Sequence, residues 1–190
     1  MNSPRKLMIP IISGTLALVG GLAIYAQSTS TGDTKYAVKV PGGLAFSEFR
    51  GYEGWQMISM SRTEKAVAVT VGNPAMIKAY ADGIPANGKP VPDGAKMAKV
   101  HWAPKPNALF PTATVPGALQ NVDFMVKDSK RFADSGGWGY AVFDYNAASD
   151  TFTPGTEAGS PPQKNDAKCG FACHTIVKNR DYVFTDYAHR

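Results

Sequence analysis

The 190-residue chain has only two cysteines, three histidines and no cluster of like charges. A closed zinc site is disfavoured, because it needs four Cys, His or carboxylate ligands and only His101 and His189 lie apart from the cysteines. The lysines stand singly between apolar residues, which is typical of a solvated surface. A nucleic-acid interface usually clusters its basic residues, so we expect no nucleic-acid partner.

The first 26 residues have the pattern of an export signal. A basic start with Arg5 and Lys6 is followed by an apolar stretch, which gives way to polar residues after Ala26. This pattern predicts a signal peptide over residues 1–26, cleaved after Ala26. Ile24, at the third position before that cleavage point, is larger than a signal peptidase prefers there. An uncleaved membrane anchor is the alternative. In both cases we expect the rest of the chain in a bacterial periplasm.

The exported part carries little net charge. Without Arg5 and Lys6 the chain has 18 basic and 15 acidic side chains, a net charge of +3. No second apolar run of comparable length follows, which predicts a soluble exported part. We expect residues 27–45 to form an N-terminal extension and residues 46–190 to form one domain, since about 160 residues can bury their own core.

Both cysteines and one histidine lie together near the C-terminus, in the segment Cys169-Gly-Phe-Ala-Cys173-His174. Two thiols followed at once by an imidazole are typical of covalent haem attachment, in which the thiols bond the vinyl groups and the histidine ligates the iron. The usual spacing has two residues between the cysteines, whereas this chain has three, so the first thiol would lie on a longer loop. A local disulfide and half of a metal site are the alternatives.

The remaining sequence predicts an α+β fold, with an antiparallel sheet, a few short helices and a C-terminal c-type haem segment. Short apolar runs bounded by Gly, Pro, Asn and Asp predict strands over residues 65–71, 95–102, 122–127 and 137–145. An Asn-Pro pair predicts a helix over residues 75–81. Further helices are expected over residues 47–52 and after His174, and residues 153–162 are expected to form a surface connection.

Several stretches resemble a known family, and they cover most of the chain beyond the signal. They are residues 52–61, 71–80, 92–99, 124–130 and 136–140, together with the cysteine segment. They resemble the cytochrome P-460 family, whose relatives include the β-sheet form of cytochrome c′. The resemblance implies a c-type haem against an antiparallel sheet, commonly in a homodimer. It also implies a histidine on one face of the iron and an open position on the other.

The resemblance also assigns site residues. Cys169 and Cys173 match the haem-attachment cysteines, and His174 matches the proximal iron ligand. In the enzymatic branch of the family a lysine, five residues after a Pro-Asp-Gly turn, is bonded to the porphyrin edge. Lys99 has this position after residues 92–94. The strand pattern alone would make Lys99 an ordinary surface lysine.

Two functions follow from the resemblance. The first is a redox enzyme that oxidises hydroxylamine and passes electrons to an external partner. The second is a nitric-oxide-binding protein without turnover. A plain electron carrier is a weaker third function, and it would need a methionine or His101 as a second axial ligand.

The composition of the pocket distinguishes these functions. An apolar wall would favour nitric oxide, whereas a carboxylate or an arginine would serve the proton transfer that hydroxylamine oxidation requires. The sequence does not identify the catalytic residues. Candidates for the apolar wall are Phe49, Met57, Met76, Phe124 and Trp138, and polar candidates are Glu48, Arg50, Asp93 and Asp123.

Overall fold

The computed structural model describes residues 34–40, 43–155 and 170–189. Within these ranges the chain forms a six-stranded antiparallel sheet, in which strands that follow each other in the sequence are paired. The strands are β1 (Gln56–Arg62), β2 (Val67–Gly72), β3 (Lys96–Pro106), β4 (Thr114–Lys127), β5 (Trp138–Asn146) and β6 (Thr151–Pro154). The predicted antiparallel α+β class is therefore confirmed. β1 was not predicted as a strand, and neither was β6, whose last two residues overlap the start of the stretch predicted as a surface connection.

Helix α1 (Pro74–Ala81) follows β2 where the Asn-Pro pair predicts it. The side-chain oxygen of Asn73 accepts a hydrogen bond from the backbone N–H of Met76 at 3.0 Å. Pro74 occupies the start of the helix, where its missing N–H group costs nothing. The capping expected from the sequence is thus present.

The opening helix predicted over residues 47–52 is replaced by two 3-10 helices, Phe46–Phe49 and Tyr52–Gly54. Gly51 lies between them with φ at +83°, a left-handed conformation that interrupts a helix and that glycine adopts without steric cost. The predicted helix is therefore broken at its glycine.

The C-terminal segment starts with the short helix α2 (Phe171–His174) and continues as a 3-10 helix over Thr175–Arg180, where a closing helix was predicted. Two further 3-10 helices lie at Lys35–Ala37 and Ala133–Ser135. None of the helices in the described ranges is long and apolar enough to cross a membrane.

The two faces of the sheet carry separate hydrophobic clusters, because successive strand residues point to opposite sides. Phe124 belongs to the cluster on the first face, and its neighbour Met125 belongs to the cluster on the second. On the first face, the ring of Phe46 lies 4.9 to 5.9 Å from five other aromatic rings of the cluster. The second face is covered by α1 and the C-terminal segment.

Phe46 is fully buried at the centre of the first cluster, so its removal tests how far the sheet depends on this packing. We expect Phe46→Ala to lower the free energy of unfolding by about 3–5 kcal/mol, because it leaves a cavity among aromatic rings. The exposed Phe110→Ala is the control and should change it by less than about 0.5 kcal/mol. Chemical denaturation of both variants measures the difference, and equal effects would contradict the prediction.

Candidate functional site

A cavity of about 250 Å³ lies on the second face, between the central strands and the C-terminal segment. Strand pairing places its lining residues in rows across β2 to β5. The first row is Thr70, Lys99, Asp123 and Val142, and the second row is Met97, Met125 and Tyr140. His174 and Phe184 of the C-terminal segment also line the cavity. The site therefore combines an apolar part with a lysine, a carboxylate and an imidazole.

His174 enters the cavity from α2, and contacts on several sides orient its ring. Its Nδ1 lies 2.7 Å from the carbonyl oxygen of Tyr182. Because a carbonyl can only accept a hydrogen bond, Nδ1 carries the proton and Nε2 is the basic nitrogen. The ring packs against Tyr140 and Phe184, each with a centroid distance of 5.0 Å. Burial lowers the pKa of His174, which favours the neutral imidazole that binds a metal.

The two cysteines of the predicted attachment segment differ in what the structure describes. Cys173 is an exposed free thiol directly before His174 in α2. Cys169 lies outside the described residues, as do the predicted signal over residues 1–26 and most of the predicted connection over residues 153–162.

Lys99 is half-buried and lines the same cavity as His174. Within the described part of the chain its ammonium group has no hydrogen-bond or ion-pair partner. The positive charge of Lys99 also contributes to lowering the pKa of His174, although burial is the larger cause. Lys96, three residues earlier on β3, instead donates to the carbonyl oxygen of Glu48 at 2.5 Å. Lys99 is therefore the lysine of β3 that is available to a cavity ligand.

Asp123 forms a polar group with two neighbours at the wall of the cavity. Nε2 of His101 lies 3.0 Å from one carboxylate oxygen, and the side-chain amide of Asn121 donates to the other at 2.5 Å. Asp144 pairs with Asn121 on the adjacent strand, and its pKa is raised by burial and by the charge of Asp123. Sequence reasoning named Asp123 and His101 separately. Their pairing depends on the register of β3 against β4, which the sequence pattern did not predict.

Of the candidates for the apolar wall, only Phe124 borders the cavity, and its ring points away into the first-face cluster. The ring of Phe49 stacks on Phe124 at 4.1 Å within the first-face cluster, whereas Met76 and Trp138 belong to the second-face core. Three of the four polar candidates also lie away from it. Glu48 pairs with Arg131, Arg50 lies over the ring of Tyr36, and Asp93 accepts from Ser129. Met97, Met125, Tyr140, Val142 and Phe184 are lining residues that sequence reasoning missed.

A cavity of this kind on an antiparallel sheet, with an oriented imidazole and apolar side chains around it, can hold a metal-containing cofactor. The family model of cytochrome P-460 matches residues 49–185, and the chain belongs to this family. It is therefore a haem protein, and the available imidazole and the apolar lining residues fit that group. No curated protein matches the chain.

Tyr182, whose carbonyl oxygen orients His174, packs its ring against Gly136. A Cβ atom at Gly136 would lie 2.2 Å from the ring of Tyr182, and the residue also has φ at +70°. Gly88 has a similar φ of +77°, but a Cβ there would meet nothing within 4 Å. An alanine would strain the backbone at either position, but only at Gly136 would its methyl group also collide with the ring of Tyr182.

We expect Gly88→Ala to destabilise the protein by about 1–2 kcal/mol through the left-handed backbone alone. Gly136→Ala should cost about 1–3 kcal/mol more, because the methyl group must displace the ring of Tyr182. Chemical denaturation of the haem-loaded variants measures both values. Equal losses would contradict the close packing between Gly136 and Tyr182.

Proposed function

We propose that this protein is an exported c-type haem protein that oxidises hydroxylamine in the bacterial periplasm. Cys169 and Cys173 attach the haem, His174 is the proximal ligand of its iron, and Lys99 is bonded to the porphyrin edge. The bound haem supplies an iron centre that accepts electrons from a small nitrogen compound. Membership of the cytochrome P-460 family supports the haem. The resemblance found in the sequence supports the choice of substrate.

One observation carries the proposal of an enzyme: the ammonium of Lys99 and the carboxylate of Asp123 line the same cavity as His174. Oxidation of hydroxylamine to HNO releases two protons and two electrons. The electrons pass to an external one-electron acceptor, and the protons need a path to solvent. Asp123 and its partner His101 can take up and pass on protons, because a carboxylate and an imidazole are the usual groups of general acid–base catalysis and the two lie 3.0 Å apart.

A bond between Lys99 and the porphyrin is supported by the lysine's place in the cavity. Forming it replaces one N–H bond and one porphyrin C–H bond by an N–C bond. Two protons and two electrons leave in this step, so an oxidant of the peroxide class must accept them. The product has two hydrogen atoms fewer than the separate groups, which makes the bond visible by mass.

The partners that we propose are an external electron acceptor and a second copy of the chain. Both follow from the family resemblance. The chain offers no cluster of like charges that would favour a nucleic acid.

The apolar part of the cavity favours one other candidate function, the binding of nitric oxide without turnover. Met97, Met125 and Val142 line the site and provide surroundings that suit a neutral diatomic ligand. This function needs neither the bond to Lys99 nor proton transfer through Asp123. Variants of these two residues therefore separate the two functions.

Lys99→Arg tests the porphyrin bond, because arginine keeps the charge but not the reactive amine. We expect the wild-type protein to have the mass of the chain plus haem less two hydrogen atoms, and a ferrous Soret band displaced to long wavelength. Lys99→Arg should lose both features. Lys105→Arg, an exposed lysine on the same strand, should keep them. A wild-type mass without the loss of hydrogen would exclude the bond.

Asp123→Asn tests the proton path, because the amide keeps the shape of the carboxylate but cannot take up a proton. We expect hydroxylamine turnover to fall by roughly 100-fold or more, as is usual when a general base is lost. The affinity for nitric oxide should change little, since binding a neutral diatomic moves no proton. Asp82→Asn at the exposed end of α1 is the control and should retain turnover. Unchanged turnover in Asp123→Asn would refute this role.

A further inference from the structure

The chain makes an unusual turn just before Phe184, a residue of the C-terminal segment that lines the cavity beside His174. Asp181 and Tyr182 are both left-handed, with φ at +47° and +65°. Two successive residues of this kind are uncommon, and the conformation is particularly unfavourable for a bulky side chain such as that of Tyr182. It persists only where the surroundings hold it in place. The carbonyl oxygen of Tyr182 accepts the hydrogen bond from Nδ1 of His174 at 2.7 Å, so this turn determines where that acceptor lies.

A buried ion pair holds the turn. Nζ of Lys127 lies 2.8 and 2.9 Å from the two carboxylate oxygens of Asp181, and it also donates to the carbonyl oxygen of Gly136 at 3.0 Å. The side chains of Lys127 and Asp181 are only 6% and 13% exposed. A buried pair of this kind is strongly destabilised when one partner is removed, because the other charge loses its compensation.

Two further hydrogen bonds fix Asp181 from other parts of the fold. The backbone N–H of Val91 donates to its carboxylate at 2.7 Å, and the indole N–H of Trp138 donates to its carbonyl oxygen at 2.8 Å. Trp138 is fully buried at the start of β5. Asp181 is thereby tied to β4, to β5 and to the loop before β3.

We propose that Asp181, through its ion pair with Lys127, is a positioning residue for the proximal histidine. The pair holds the left-handed turn, the turn aims the carbonyl of Tyr182 at Nδ1, and the bond at Nδ1 directs Nε2 towards the cavity. This inference rests on the proposed role of His174 as the iron ligand. Neither Asp181 nor Lys127 lines the cavity, so neither would contact a ligand there directly.

The hydrogen bond at Nδ1 also affects the electronic properties of the iron. A hydrogen bond donated from Nδ1 raises the basicity of Nε2 and strengthens its bond to a metal. Loss of that bond weakens donation to the iron and favours its reduced state. The frequency of the iron–histidine stretch should therefore fall, and the midpoint potential should rise.

The test compares Asp181→Asn and Lys127→Met with the wild-type holoprotein. Asparagine keeps the acceptor for Val91 but removes the charge, and methionine keeps most of the length of lysine without its donors. Resonance Raman spectra of the ferrous proteins report the iron–histidine stretch, and a redox titration reports the potential. We expect both variants to shift the stretch to lower frequency and to raise the potential.

Two controls separate positioning from general weakening. The ion pair between Lys78 and Asp82 on α1 is exposed, and Lys78→Met and Asp82→Asn should leave the stretch unchanged. Phe46→Leu destabilises the opposite face of the sheet and should unfold earlier while keeping the wild-type stretch.

An unshifted stretch in both Asp181→Asn and Lys127→Met would overturn the positioning role and leave the haem proposal intact. An equal shift in Phe46→Leu would overturn it as well. If the two variants are produced without attached haem while Phe46→Leu carries it, the pair is a folding element and the proposal fails. A wild-type protein without a histidine-ligated haem would instead refute the proposed function itself.

Discussion

The register of the central strands is the constraint on which the site depends. Lys99 pairs with Asp123 across β3 and β4, so both side chains lie on the second face. A slip by one residue would turn one of these strands over and place its charge among the packed rings around Phe46. Burying an unpaired charge there would be costly. In the observed register the residues that point to this face are apolar, as Phe124 is, and they pack within the cluster. The packing of the first face therefore determines the chemistry of the second.

The C-terminal segment completes a site that the sheet alone does not form. The sheet supplies the rows of lining residues, but the imidazole comes from α2, and its ring lies between Tyr140 of β5 and Phe184. Tyr182 and Phe184 belong to the same stretch of chain, so the hydrogen-bond acceptor and one packing partner of His174 move together. The anchoring of this stretch by Asp181 thus affects the orientation of the imidazole and its basicity at once.

Several elements of the fold could be predicted from short stretches of the sequence. The four strands from β2 to β5 and the capped helix α1 each follow from neighbouring residues. The pairing of His101 with Asp123 and the ion pair of Lys127 with Asp181 join residues 22 and 54 positions apart. They depend on strand register and on the path of the C-terminal segment, which no short pattern encodes. For the same reason most of the cavity's apolar lining was missed.

The two rows of residues that line the cavity differ in which functions they favour. Met97 and Met125 would serve any haem protein, because apolar contacts stabilise the macrocycle whatever its reaction. Charged groups at the same wall carry a desolvation cost once a cofactor excludes water. Binding a neutral gas moves no proton, so it does not require a carboxylate such as that of Asp123 in that place. Asp123 is moreover joined to His101, a second group that can carry a proton. The charged row therefore favours a reaction that moves protons over simple gas binding.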